Sequence, residues 1–298
     1  MKRDMSTLSR INESGVGDTK ERPILTVDAF ANGVAVGQHR GATTNDIRDL
    51  FHLRLIEGGE VVKLRSRYLI NRHSPAIELE KHLMKLSKAG LLGQSEIIFG
   101  NTTDPFYPFE GKFDASMKFL ELFQRYTPGM LHIQTRSPLI VIAMPVLKRL
   151  GKRVAVTIGI ETNKDEVISK LTPGLPRVEE RLKAATALRR FGVEVTLQVA
   201  PVLPYGDWKK DAGEFADMLI EHGDYIYARP MVTGNLEDER RIRGTYVART
   251  LSAQRQFHWL RPDAATPLIT AIEERAPEKL MIPLRNQFEE KQLSIFAA

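Results

Sequence analysis

The chain of 298 residues predicts an α/β fold, a parallel (β/α)6-type partial TIM barrel with a helical C-terminal extension. Three observations predict it. Short apolar runs of about four to eight residues alternate with amphipathic stretches of about ten to fifteen, the rhythm of βα crossovers that lay strands parallel. Polar residues gather directly after each apolar run, where a barrel of this type collects its chemistry. No shift in composition marks an internal boundary, so residues 23–235 read as one barrel unit. Residues 1–22 read as a flexible polar segment and residues 236–298 as the helical extension.

Pro23-Ile-Leu-Thr-Val-Asp28 predicts the first strand. A glycine-dotted segment from Asn32 to Gly41 follows, then a helix start over Ala42 to Leu55 and a strand over Glu60-Val-Val-Lys-Leu-Arg65. Ser74-Pro75 opens a helix over Ala76 to Ala89. It has a cap, proline in the first turn, apolar spacing through Leu79, Leu83 and Leu86, and Gly90 to end it. From there the rhythm is regular. Strands are predicted over 96–99, 130–134, 153–160, 194–200 and 225–228, and helices over 113–126, 138–150, 177–191 and 211–221.

The chain is organised around Ser95-Glu-Ile-Ile-Phe-Gly-Asn-Thr-Thr-Asp104-Pro-Phe-Tyr-Pro-Phe-Glu110. Ile97 to Phe99 reads as a buried parallel strand that breaks at Gly100 into a polar, proline-locked loop. Its plain alternative is a capping and turn motif, because Asx and Pro residues crowd ordinary loops. Later strand ends contribute Thr135, Arg136 and Ser137, then Thr157, Glu161 and Thr162, then Pro201 with Tyr205-Gly-Asp207, and finally Arg229. Carboxylates, a guanidinium and hydroxyls in one cup suit a small polar ligand such as a nucleotide or amino acid. Some of them also suit caps and hinges, as Ser137-Pro138 does at a helix start.

Composition bounds the function. Hydrophobic residues make up 42% and charged residues 27%, the proportions of a water-soluble globular chain. No apolar run is long enough to span a membrane, and Met1 to Arg22 has no apolar core of a secretory signal, which makes the cytoplasm the expected compartment. The formal charge is +6 with a pI near 9.4. That favours polyanions such as nucleic acid, through Lys63-Leu-Arg-Ser-Arg67, Lys148-Arg-Leu-Gly-Lys-Arg153 and Arg240-Arg-Ile-Arg243, each of which equally suits a solvated face. There is no cysteine. Disulfides, thiolate nucleophiles, cysteine zinc sites and all-thiolate iron–sulfur clusters are therefore excluded.

Taken together, the motifs resemble the radical S-adenosylmethionine superfamily, and within it the spore photoproduct lyase-like group. Gly100-Asn-Thr-Thr-Asp-Pro-Phe-Tyr-Pro-Phe-Glu110 looks like that group's Thr-Asp-Pro-Tyr-Gln-Pro-x-Glu loop. Gln134-Thr-Arg-Ser137 looks like its Thr-Lys-Ser turn, and Val154-Ala-Val-Thr-Ile158 like its Val-Ser-Ile strand. Glu180-Arg-Leu-Lys-Ala-Ala185, leading to Gly192-Val-Glu-Val and Pro201-Val-Leu-Pro204, looks like its Arg-Leu helix and proline-rich strand end. The resemblance covers residues 24–230 and implies a partial barrel of the radical SAM kind. It also implies S-adenosylmethionine as cofactor, contacted by Arg136, Ser137, Thr157 and Arg181, with Asp104 and Glu110 lining the same mouth.

One corner departs from the family. Arg40-Gly-Ala-Thr-Thr-Asn-Asp-Ile-Arg-Asp49 aligns with the Cys-x3-Cys-x2-Cys cluster loop and puts Ala42, Asp46 and Asp49 at the three cysteine positions. Alanine ligates nothing, and carboxylates are hard donors that replace thiolates poorly, so no 4Fe-4S cluster and no radical chemistry are expected. Asp46, Asp49 and His52 are spaced for one helical face and suit a divalent metal, although a helix N-terminus explains the aspartates too. The expected function is a cluster-less, ligand- or nucleic-acid-binding pseudoenzyme. The alternative is a non-radical enzyme using Asp104, Glu110 and Glu161 for acid–base or metal chemistry.

Overall fold

In the strands the apolar side chains sit at every second position, and this period of two fixes the architecture. The computed structural model describes residues 23–30, 33–39, 75–106, 112–232, 234 and 236–281. Seven strands form one sheet: β1 Ile24–Phe30, β2 Gly33–His39, β3 Glu96–Phe99, β4 Met130–Thr135, β5 Val154–Gly159, β6 Glu194–Val199 and β7 Tyr225–Ala228. Their spatial order is β2-β1-β3-β4-β5-β6-β7. Every pairing is parallel except β1 with β2, which is an antiparallel hairpin.

The six parallel strands, β1 and β3 to β7, lie in sequential order on the runs predicted over 23–28, 96–99, 130–134, 153–160, 194–200 and 225–228. The sheet is open among the described residues, with β2 and β7 at its two edges, so the closure of a barrel is not seen. The glycine-dotted segment is a correction, since it forms β2 where no strand is predicted. Val34 and Val36 stand opposite Ala29 and Val27 and join the same core, which outweighs the weak strand propensity of the glycines.

The helices are α1 Pro75–Lys88, α2 Lys112–Arg125, α3 Met144–Leu150, α4 Asp165–Leu171, α5 Val178–Arg190, α6 Ala212–His222, α7 Leu236–Arg243, α8 Tyr246–Ala253 and α9 Thr266–Arg275. The helix predicted over 138–150 is two pieces, a 3-10 turn at Pro138–Ala143 and then α3. Pro145 lies in the first turn of α3, the one place where its missing N–H costs no hydrogen bond. The seven-residue α4 was not expected, being too short for a periodic signal. Within the expected C-terminal extension, the described residues 236–281 carry α7, α8 and α9, and Trp259, Leu268 and Ile272 join the main core.

Register sorts the two sheet faces. Leu25, Val27, Ile97, Phe99, Leu131, Ile133, Val156, Ile158, Val195, Leu197, Val199 and Ile226 belong to one apolar core with the helices. The alternate positions carry Thr26, Asp28, His132, Gln134, Thr157, Thr196 and Gln198, all buried although polar. On that second face Ile24 and Ile98 are a separate small apolar cluster.

The segment 1–22, the predicted helix over 42–55 and the predicted strand over 60–65 lie outside the described residues. So do Ala42, Asp46, Asp49, His52, Ser74, Glu110 and the basic stretch 63–67.

Candidate functional site

Parallel strands deliver all their C-terminal ends to one edge of the sheet, and the predicted site residues follow those ends. The first is the loop after β3. Gly100 makes the exit at φ +92°, and a β-carbon there would stand 2.5 Å from the Gln134 carbonyl and 2.6 Å from Pro105 Cδ. Only glycine accommodates that approach. The loop is then tied to the neighbouring strand end of β1. Asp28 Oδ1 accepts the backbone N–H groups of Thr102 and Thr103 at 2.6 and 3.0 Å, and the Thr103 hydroxyl donates to the Ala29 carbonyl at 3.0 Å.

Asp104 closes the loop onto β4. Its Oδ1 accepts the Thr135 hydroxyl at 2.7 Å and the Phe106 N–H at 3.0 Å, and its Oδ2 accepts the Arg136 N–H at 2.6 Å. Thr135 Oγ1 in turn accepts the Ser137 N–H at 2.9 Å. The Ser137 hydroxyl accepts the Leu139 N–H at 3.3 Å, so Ser137 is the cap of the 3-10 turn foreseen as its plainer role.

Beyond Arg136 lies a buried chain of charge. Arg136 Nε donates to Glu161 Oε1 at 2.5 Å, and Arg181 Nη1 donates to Glu161 Oε2 at 2.9 Å and to the Gly159 carbonyl at 2.6 Å. All three side chains are buried, Glu161 and Arg181 completely. Gly159 is required here as well, because a β-carbon would meet Glu161 Oε1 at 2.7 Å and Arg136 Cγ and Nε at 2.9 Å. Burial, the largest single influence on the Glu161 carboxyl, opposes its ionisation. The charges and hydrogen bonds of Arg136 and Arg181 outweigh it together and hold the carboxyl below its ordinary range. Arg181 is an interior residue reaching from α5 to the end of β5. Its Nε and Nη2 are buried without a partner.

The structure therefore brings Asp104, Arg136, Ser137, Glu161 and Arg181 into one connected cluster, with Thr157 one side-chain step below Gly159 on the polar face. The β6 end contributes less than expected. Tyr205 is buried against Phe215 and Trp259 and donates to the Trp208 carbonyl at 2.7 Å. Asp207 is a turn residue, accepting the N–H groups of Lys209 and Lys210 at 3.1 and 2.9 Å. The Thr162 hydroxyl donates to the Pro204 carbonyl at 2.6 Å and pins two strand-end loops together. Among the described residues no group of three His, Cys, Asp or Glu side chains is placed to hold a metal ion.

Sequence reasoning missed the floor beneath this cup. Gln134, His132, Thr196 and Gln198 line the polar face, with His132 Nε2 3.2 Å from Glu96 Oε2. The signal was present in Leu131-His-Ile-Gln-Thr135 and Val195-Thr-Leu-Gln-Val199. A parallel sheet buried under helices on both faces reads as continuous apolar runs, whereas these strands alternate.

No family model matches the chain. A stretch of 127 residues is 28% identical to uncharacterized proteins of Mycobacterium bovis and Mycobacterium tuberculosis, covering 42% of this chain and 36% of theirs. A stretch of 125 residues is 26% identical to an uncharacterized protein of the Acidianus two-tailed virus, covering 42% of this chain and 40% of that one. The chain thus matches well under half the length of these curated relatives. Among solved structures, a spore photoproduct lyase variant with dinucleoside spore photoproduct is similar with a TM-score of 0.48 and 14% identity, covering 70% of this chain and 67% of that one. A further variant, with bound AdoMet and dinucleoside spore photoproduct, gives 0.46 and 15%, covering 69% and 64%.

Proposed function

We propose that this chain is a cluster-less, radical SAM-like binding protein whose strand-end cup takes a small polar ligand bearing a carboxylate, S-adenosylmethionine being the first to test. One observation carries the reading. Arg136, Glu161 and Arg181 together hold a net positive charge in the interior, and Arg181 keeps two nitrogens without an acceptor beside the ends of β4 and β5. A buried guanidinium with unmet donors has a high affinity for an anionic acceptor, and its planar fork matches a carboxylate. Arg181, Thr157 and the loop carrying Asp104 would hold such a ligand.

An iron–sulfur cluster does not fit this chain, because it offers no thiolate. No radical step is derived through it. The acid–base alternative is weaker on the geometry. Glu161 has both oxygens committed to arginines, and Asp104 has both committed to Thr135, Phe106 and Arg136, so each carboxylate positions its neighbours. A nucleic-acid partner remains part of the proposal through the basic surface alone.

Isothermal titration decides the ligand clause. S-adenosylmethionine is expected to bind with a dissociation constant of about 0.1–1 mM, and Arg181→Lys to weaken it by about tenfold or more. Absence of heat at millimolar ligand overturns the reading.

A further inference from the structure

We propose that the polar face of the sheet, beneath the charged cup, carries a second recognition element built by Gln134 and Gln198 for a neutral planar group with a donor beside an acceptor, a carboxamide or a lactam edge. The proposal rests on the reading of the strand-end cup as a ligand site. Gln134 is fully buried, and neither its Oε1 nor its Nε2 has a hydrogen-bond partner. Gln198 is 2% exposed, and its Oε1 has none either. Buried amide atoms are almost always satisfied, since leaving one unmet forfeits its hydration with no return.

Register places both amides on one face. Gln134 stands opposite Thr157 in β5, and Gln198 opposite Gly159 one side-chain step higher. One strand, β5, separates them, so they stand two interstrand spacings or about 10 Å apart, with the hydroxyls of Thr157 and Thr196 between. On the intervening strand Ala155 lies a side-chain step below Thr157 and adds little volume, while the space over Gly159, a step above, is taken by the Arg136 and Glu161 side chains of the cup.

The chemistry of the row selects the ligand class. From Gln134 it runs through Thr157 and Thr196 to Tyr225, without a charged side chain at neutral pH. Within that row an ionic group would find no countercharge, the charges of Arg136 and Glu161 lying a step higher over Gly159, and an apolar one would leave the amide atoms of Gln134 unmet. A carboxamide offers one acceptor and two donors in a plane, and its complement is another such edge. The charged end of a ligand belongs above, at Arg181, and its neutral end below, at the glutamines.

Nicotinamide supplies the carboxamide edge, uridine the lactam edge, and N,N-dimethylnicotinamide lacks the donor and serves as the control. Titrated calorimetrically to about 10 mM, at least one of the first two is expected to bind and the control to fail. Gln134→Leu is expected to weaken that binding by about tenfold or more without lowering Tm. The dimethyl control needs no variant and so tests the proposal even if Gln134→Leu fails to fold. The proposal is overturned if neither probe binds, if the control binds equally well, or if Gln134→Leu/Gln198→Leu leaves the affinity unchanged. Bridging waters on both amides with no probe response overturn it equally. Failure of the probes alongside intact S-adenosylmethionine binding removes this inference alone. Loss of S-adenosylmethionine binding with the probes retained removes only the carboxylate reading of the cup.

Discussion

At Glu161 two arginines share one buried carboxylate, and the sign of the balance is set by desolvation against Coulomb attraction. Removing the carboxylate charge leaves two interior cations with no partner, which is far worse than never burying charge at all. Glu161→Gln should therefore destabilise the fold by about 3–5 kcal/mol, read from urea denaturation. Replacing all three charges together, as Arg136→Met/Glu161→Leu/Arg181→Met, should recover most of that loss, because a packed apolar trio has no desolvation to offset. The same group gives a pH signature. Its carboxyl is held below the ordinary range in the folded state, so the stabilisation is complete above about pH 4.3, the unfolded value, and disappears as pH falls through the lower folded value. Glu161→Gln should flatten that acid limb of the stability curve.

At the level of elements, the loop after β3 is held by its neighbours rather than by its own propensity. Asp28 at the end of β1 takes two of its amides, and Asp104 ties its other end to β4. Asp28→Ala leaves the Thr102 and Thr103 amides without their acceptor, at a cost of about 1–3 kcal/mol. Hydrogen exchange at those two amides should quicken, while the Phe106 amide, held by Asp104, should change much less. Equal loss of protection along the whole loop would show that Asp28 supports the fold globally instead.

Over the whole molecule, the +6 charge and the solvated arginines and lysines at 148–153 and 240–243 form the described part of the basic surface. Part of it is already engaged, since Arg243 pairs with Glu239 at 3.1 Å and Lys148 lies 4.7 Å over the Phe191 ring. If that surface takes nucleic acid, filter binding should weaken about a hundredfold between roughly 50 and 200 mM salt, as for some four phosphate contacts. Salt-indifferent binding, or none, removes the nucleic-acid clause. No helix among the described residues is long and apolar enough to cross a membrane.

Much of this architecture was legible in the chain. The strands over 96–99 and 225–228, and the helix that ends before Gly90, follow from apolar spacing and caps, which act within a few residues. The β2 hairpin was not legible, because glycine-rich Gly33–His39 becomes a strand only by pairing with β1. Among site residues, Asp104, Arg136 and Glu161 were found because strand ends converge whenever strands run parallel. Gln134 and Gln198 are hidden when their strands are taken as apolar runs, although Leu131-His-Ile-Gln-Thr135 and Val195-Thr-Leu-Gln-Val199 alternate.

By itself the sequence determined the parallel α/β class, the edge at which polar residues gather, and the absence of any thiolate chemistry. These depend on side-chain period and composition, which need no knowledge of what lies across the fold. Only the tertiary structure decided that Arg181 turns inward to share Glu161, that Ser137 caps a turn, and that unmet amides line the face below. Those outcomes depend on which groups from distant segments meet in a buried, low-dielectric space, and no local pattern encodes that meeting.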